Sequence, residues 1–130
     1  MSEKQDIFIV LKTTEHQEKN KKLTVLSPNF GVYNIIAKGI KDKQAKLRFL
    51  GLPFVLADAV IFDRALPTVK TASLLESHSE LSKDLDKYEA ACFCVSVTLS
   101  FSGVVAGDLF LPLTKTLKKI IYEKLMSSSL

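Results

Sequence analysis

Leu23-Thr24-Val25-Leu26-Ser27-Pro28-Asn29-Phe30-Gly31-Val32-Tyr33-Asn34-Ile35-Ile36-Ala37 reads as two short β-rich runs folded about a turn. Pro28 fixes its own φ, while Asn29 and Gly31 tolerate positive φ, so Ser27 to Gly31 has turn chemistry. The stretch therefore predicts a hairpin over residues 23 to 37. Upstream, Ile7-Phe8-Ile9-Val10-Leu11 is a short apolar run ended by Lys12-Thr13-Thr14 and a charged stretch to Lys22. Downstream, a basic loop from Lys38 to Arg48 leads to Pro53–Phe62, a loosely alternating fourth strand. Asp63 to Pro67 then reads as a turn and Val69 to Leu75 as a fifth strand. No strand–helix alternation of the kind a parallel sheet needs occurs in this region.

The chain has 130 residues and a mass of 14.4 kDa, room for one domain or a small domain with an appendage. Hydrophobic residues make up 47% and charged residues 25%, which is globular usage and excludes wholesale disorder. Mean hydropathy is +0.17, high for a chain with so many lysines. The net charge of +4 is unevenly spread: residues 1 to 50 hold ten Lys/Arg against five Asp/Glu, the remainder eight against nine. The basic excess lies wholly in the N-terminal part and favours a polyanionic partner there, nucleic acid ahead of a membrane surface.

The texture changes after Leu75. Ser82, followed by Asp84 and Asp86, reads as a helix N-terminus. Leu81, Leu85, Tyr88, Cys92, Val95 and Leu99 would share one helical face. Phe93, Val95, Val97, Leu99 and Phe101 also alternate with small polar residues as a strand would, so periodicity leaves residues 90 to 101 open between helix and strand. A last helix begins between Asp108 and Pro112, with Leu109, Leu113, Leu117, Ile120, Ile121 and Leu125 on one stripe. Residues 90 to 107 carry no charge, but their Ser, Thr and Gly content and one-sided flanks favour a buried segment over a membrane span. The N-terminus, Met1 to Asp6, lacks a signal-peptide layout.

Little here points to catalysis. No P-loop, dinucleotide, zincin or nucleophile-elbow pattern occurs. His16 and His78 read as solvated, and Asp84 and Asp86 as first-turn helix acids. Cys92 and Cys94 are too close to bridge and supply only half a zinc site, so inert buried thiols in a reducing cytoplasm are expected. The informative signal is the basic loop: Lys38, Lys41, Lys43, Lys46 and Arg48, opposed only by Asp42. Phosphate recognition needs such a track of cations, and Gly39 would let the backbone approach closely. Lys19, Lys21 and Lys22 form a weaker second cluster, offset by Glu15 and Glu18. Bases need flat surfaces to stack on; Phe30, Tyr33 and Phe49 border the basic segment, whereas Phe8, Phe54 and Phe62 have strand-core patterns.

Five short strands in about 75 residues fit the size of an OB-fold barrel. The order Val10-Leu11-Lys12, Glu18 before Leu23-Thr24-Val25-Leu26, Gly31, and Ala37-Lys38-Gly39-Ile40-Lys41 resembles the N-terminal domain of the bacterial RecO recombination mediators. The likeness continues through Leu52-Pro53-Phe54, Leu74-Leu75-Glu76-Ser77 and Asp84-Leu85 before Lys87, and more loosely through Leu109-Phe110 and Leu113. It implies an OB-fold that binds single- and double-stranded DNA, followed by a helical domain. It also implies strand annealing or recombinase loading, with the single-stranded DNA-binding protein SSB and RecR as possible partners. Lys38 and Lys41 fall where the family places basic DNA-contacting residues, and Gly39 matches the family glycine. Lys43, Lys46 and Arg48 extend that set on charge, and Tyr33 on stacking.

The expected fold is thus mainly β with C-terminal helices: a five-stranded OB-fold barrel over residues 1–78, then an α-helical hairpin over 79–130. Expected function is non-enzymatic, cytoplasmic DNA binding in recombinational repair, without cofactor, metal or membrane. The competing expectation is a protein-interaction module that dimerises or docks a partner through apolar surface without binding DNA. RNA binding by the same barrel is a third. Since the family's helical domain is larger, an exposed apolar surface is expected over residues 90 to 125.

Overall fold

The computed structural model describes residues 2–40, 46–101 and 104–122, with the backbone alone at 104–106. The expected hairpin is present: β2 (Asn20–Ser27) and β3 (Gly31–Ala37) pair antiparallel, with Leu26 opposite Val32 and Ser27 opposite Gly31. With β1 (Glu3–Gln17), β4 (Leu56–Phe62) and β5 (Thr68–Glu76) they close into a barrel in the order β1-β2-β3-β5-β4. The seam between β3 and β5 is one parallel pair, Ile36 with Thr68, reinforced by Ile36 N–H donating to Pro67 O at 2.8 Å.

β1 is far longer than its apolar run. Its first half, Glu3 to Ile9, pairs with β4, and its second half, Ile9 to Gln17, pairs with β2. Polar residues that have no strand signal of their own are thus held by ladders on either side. The run Phe8-Ile9-Val10-Leu11 is continuous because both faces of the strand are covered there. Phe8 and Val10 point into the barrel with Leu23, Val25, Ile35 and Ile61. Ile9 and Leu11 point outward against Leu81, Val95, Leu113 and Leu117 of the helical segment. Alternation along a strand delivers the two sets to opposite faces.

β4 starts at Leu56, later than the expected Pro53. Phe54 takes a φ of 66°, which breaks strand geometry, and its N–H donates to Val10 O at 3.2 Å. His78, expected in solvent, is 1% exposed. Its Nδ1 lies 2.6 Å from Phe54 O, so the ring ties the start of the helical segment to the strand-4 approach.

The open segment resolves in favour of helix: residues 90 to 99 lie within α1 (Leu85–Leu99), and Ser100 caps its end. Its cap is Asp84, which accepts from the N–H groups of Asp86 at 3.0 Å and Lys87 at 3.2 Å; Ser82 lies in a preceding 3-10 turn, Ser79–Lys83. The buried line is Ala91, Val95 and Thr98, whereas Leu85 is 70% exposed, so the expected stripe is rotated toward smaller side chains. α2 (Phe110–Tyr122) buries Leu113 and Leu117 as expected; Leu125 lies outside the described residues. Lys87 Nζ donates to Ile121 O at 2.7 Å, which sets the start of α1 beside the end of α2 and makes an antiparallel hairpin.

Helices and barrel also meet at Gly107. A β-carbon there would lie 2.9 Å from Pro28 O, in the turn of the deciding hairpin. Gly107→Ala is therefore expected to destabilise the fold by about 1–3 kcal/mol, since backbone must move to relieve the overlap. Urea unfolding followed by circular dichroism measures it, and an unchanged midpoint would contradict the packing.

Candidate nucleic-acid interface

Strand pairing gathers the basic residues that the sequence separates. In the β2–β3 ladder Lys21 stands opposite Ala37, the residue before Lys38, and Lys22 opposite Ile36. The β1–β2 turn at Glu18 and Lys19 therefore sits beside the exit of β3. Gly39 takes a φ of 69°, a left-handed conformation suited to glycine. Its N–H donates to Asn20 Oδ1 at 3.0 Å, and Asn20 Nδ2 donates to Gln17 Oε1 at 3.1 Å, so the two turns brace each other. The 3-10 turn Arg48–Gly51 is anchored by Leu50, which is fully buried in the barrel core.

Between these segments lies a cleft of about 390 Å³ lined by Glu15, Lys21, Ile40, Arg48, Gly51 and Leu52. Of the residues expected to contact DNA, the structure brings Lys38, Gly39, Lys46 and Arg48 to this end of the barrel, with Lys38, Lys46 and Arg48 exposed. Lys41 and Lys43 lie outside the described residues. Lys21, from the cluster that looked weaker in sequence, lines the cleft itself.

Tyr33 stands apart from this end. It is five residues up the strand from Lys38, roughly 16 Å at strand rise. It shares parity with Ile35 and Ala37, so its ring packs against the barrel core. Its hydroxyl donates to Asp6 Oδ2 at 2.7 Å, and Ser27 Oγ donates to Asp6 Oδ1 at 2.8 Å. Asp6 is 2% exposed, so this network spans β1, β2 and β3 from within. Ser27 Oγ also accepts from the N–H groups of Asn29 and Phe30, which shapes the hairpin turn. Burial first, then the hydrogen bond and charge of Asp6, hold the Tyr33 hydroxyl well above the usual tyrosine range. A pKa raised on folding contributes stability that is present below the unfolded value and lost above it. Stability is therefore expected to fall once pH passes about 10. Tyr33→Phe should flatten that alkaline fall in urea midpoints; an equally steep fall in the variant would contradict the assignment.

The outer face of the hairpin, by the same parity, carries Lys22, Thr24 and Asn34, with Thr24 Oγ1 donating to Asn34 Oδ1 at 2.9 Å. Among the other aromatics, Phe49 packs against the barrel core and Phe30 is 45% exposed beneath Lys4, whose Nζ lies 3.9 Å from the ring centroid. Phe62, expected in the core, is half-buried instead, with Arg64 5.0 Å and Lys70 Nζ 5.8 Å from its ring centroid. Arg64 in the β4–β5 turn was the sequence signal for this second aromatic–cation site, and only the outward parity of Phe62 brings it into play.

The helical segment carries an apolar groove of about 230 Å³ between α1 and α2, lined in part by Phe93, Val97, Phe101 and Pro112. Phe93 is 70% exposed, in line with the apolar surface expected over this region. Cys92 and Cys94 are free and half-buried, and burial pushes the Cys94 thiol up. Among the described residues no helix is long and apolar enough to cross a membrane, and no cluster of three or more His, Cys, Asp or Glu is arranged to hold a metal.

A five-stranded barrel in the order 1-2-3-5-4, with cations gathered at the strand 1–2 turn and the exit of strand 3, defines an OB-fold protein with a basic end. The family model described as Recombination protein O N terminal matches residues 1–78, and the chain belongs to that family. Curated relatives carry the name DNA repair protein RecO. That of Synechococcus elongatus is 33% identical over 93 residues, covering 71% of this chain and 35% of the relative. That of Oceanobacillus iheyensis is 27% identical over 104 residues, covering 79% and 40%. That of Caldicellulosiruptor bescii is 30% identical over 94 residues, covering 72% and 38%. The chain thus spans well under half the length of these relatives.

Proposed function

We propose that this chain is a non-enzymatic DNA-binding module of recombinational DNA repair. Residues 1–78 serve as the nucleic-acid-binding barrel and residues 79–130 as a helical segment packed on it. The observation that carries the reading is the convergence of Lys21, Lys38, Lys46 and Arg48 at one end of an OB-fold barrel. OB-folds bind oligonucleotides across strands 2 and 3 between the strand 1–2 and 4–5 loops. Here that path runs from the Lys21–Arg48 cleft over Lys22 and the Thr24–Asn34 pair toward Arg64. Lys41 and Lys43, which lie outside the described residues, join the proposed set on charge alone, and Tyr33 stiffens the hairpin.

The mechanism is electrostatic capture of phosphates with release of counterions, which leaves base edges free to pair. Single strands are the primary ligand and double-stranded DNA a second, bound through phosphates alone. The likeness to the family supports a role in strand annealing or recombinase loading in the cytoplasm, in concert with SSB and RecR, as part of this proposal. Titration of labelled single-stranded DNA by fluorescence anisotropy at two salt concentrations tests the reading. Binding that weakens steeply with salt is expected; no salt-dependent binding overturns it. RNA oligomers in competition decide whether DNA is preferred.

The apolar groove between α1 and α2 favours a second reading, a module that dimerises through this face without binding DNA. Light scattering on a gel-filtration column separates the two. A stable dimer with no DNA affinity would support the second.

A further inference from the structure

We infer that Phe62 is a stacking platform for an unpaired base of the bound strand, with Arg64 as the cation that exchanges the ring for a phosphate. Resting on the single-strand reading above, this names the contact that favours unpaired bases over a duplex.

Strand register places the ring on the path. Lys22 of β2 stands opposite Ile36 of β3, Ile36 opposite Thr68 of β5, and Thr68 opposite Phe62 of β4. Residues directly opposite one another share a face of the sheet, so one lateral row joins a cation of the basic end to Phe62. At roughly 4.8 Å per strand, Phe62 lies about 14 Å around the barrel from Lys22. Ile36 and Thr68 between them are uncharged, so no carboxylate on this row opposes a strand that crosses it.

The ring itself is half-buried, fixed by the ladders on either side of β4 yet open over part of its surface. The Arg64 guanidinium lies 5.0 Å and Lys70 Nζ 5.8 Å from its centroid. These two cations are held differently. Lys70 Nζ donates to Glu3 Oε2 at 2.9 Å, whereas among the described residues no carboxylate pairs with Arg64. Asp63, its neighbour in the turn, lies 3.9 Å from Lys4 Nζ instead. The exposed guanidinium can therefore leave the ring for a phosphate, which it matches with paired donors, while a base takes its place on the π face. Every base has such a face, so the contact tolerates any sequence. In a duplex the bases are already stacked on one another, and only phosphates are offered here. Phe30 suits the task less well, since Lys4 Nζ sits 3.9 Å from its ring centroid and Tyr33 packs against it edge-on.

The test compares a fluorescent dT oligomer with an abasic oligomer of the same length, about 12 nucleotides, by anisotropy at low salt. Both carry the same phosphates, so the difference reads the bases. Native protein is expected to bind dT about tenfold more tightly than the abasic strand. Phe62→Leu keeps apolar bulk without a π face; it should bring the ratio to about twofold or less while salt-dependent abasic binding persists. The chain contains no tryptophan, so Phe62→Trp places a single reporter in the platform. Its emission should be quenched by saturating dT and left unchanged by the saturating abasic strand. Equal affinity of the native protein for the two oligomers, a ratio that survives Phe62→Leu, or tryptophan emission unmoved by dT overturns the platform and leaves the single-strand reading standing. Failure of the native protein to bind either oligomer overturns both.

Discussion

Replacing Lys21, Lys38 and Arg48 together by alanine is expected to lower affinity for single-stranded DNA roughly a hundredfold at low salt and to reduce the slope of log K against log salt by about two. Each cation that neutralises a phosphate releases counterion from the strand, so the terms multiply in affinity and add in slope. The three residues come from β2, the exit of β3 and the 3-10 turn before β4. Pairing of Lys21 with Ala37 and the shared cleft bring them to one end of the barrel. Lys38 and Arg48 are exposed, and Lys21 is half-buried with its ammonium at the cleft, so the variant should fold like the parent. The decisive comparison is with Lys115, Lys118 and Lys119 replaced together on α2, which removes the same charge elsewhere. Equal losses from the two triple variants would mean that overall charge, rather than this surface, drives binding.

The second large effect concerns stability. Leu117→Ala is expected to cost about 2–5 kcal/mol. Leu117 is fully buried in a cluster that includes Ile9, Leu11 and Leu26 of the barrel and Val95 of α1. Truncation removes contacts on both partners and leaves a cavity that rigid strands cannot collapse around. Because Ile9 and Leu11 share a strand with the inward-facing Phe8 and Val10, loss of the outer cluster should loosen the barrel as well. Urea unfolding should show one transition at a lower midpoint, followed by circular dichroism and by tyrosine fluorescence. Two separated transitions would mean that the helices unfold without the barrel.

Much of the barrel was legible because its signals are local. Pro28, Asn29 and Gly31 specify a turn within a few residues of the strands they join, and the flanking β-branched runs need no distant information. The ends of β1 were not legible. Thr13 to Gln17 carry no apolar pattern, and only the ladder to β2, with Thr13 opposite Leu23 and Gln17 opposite Asn20, makes them strand. The helix–strand conflict over residues 90 to 101 had the same origin. A segment apolar on many sides fits either period, and the barrel's outer face selected helix by burying Ala91, Val95 and Thr98. His78 looked solvated because nothing near it in sequence announces Phe54 O as its partner.

The candidate site divides along the same line. Charge counting found the loop from Lys38 to Arg48, since a run of cations is visible residue by residue. It ranked Lys21 lower because Glu15 and Glu18 offset that cluster in sequence, whereas register places Lys21 in the cleft. Parity turned Tyr33 inward to Asp6 and left Phe62 half-exposed beside Arg64.

By itself the sequence determined a five-stranded barrel, the last helix, a basic N-terminal half and membership of the RecO N-terminal family, all carried by turn residues, short-range periodicity and motif order. Only the tertiary structure decided which face of α1 is buried, which aromatics face out, and that Glu15, Lys21 and Arg48 share one cleft. The reason is that packing partners lie tens of residues away in sequence; in the strands, a shift of one residue in register would send Glu15, Lys21, Tyr33 and Phe62 to the opposite face.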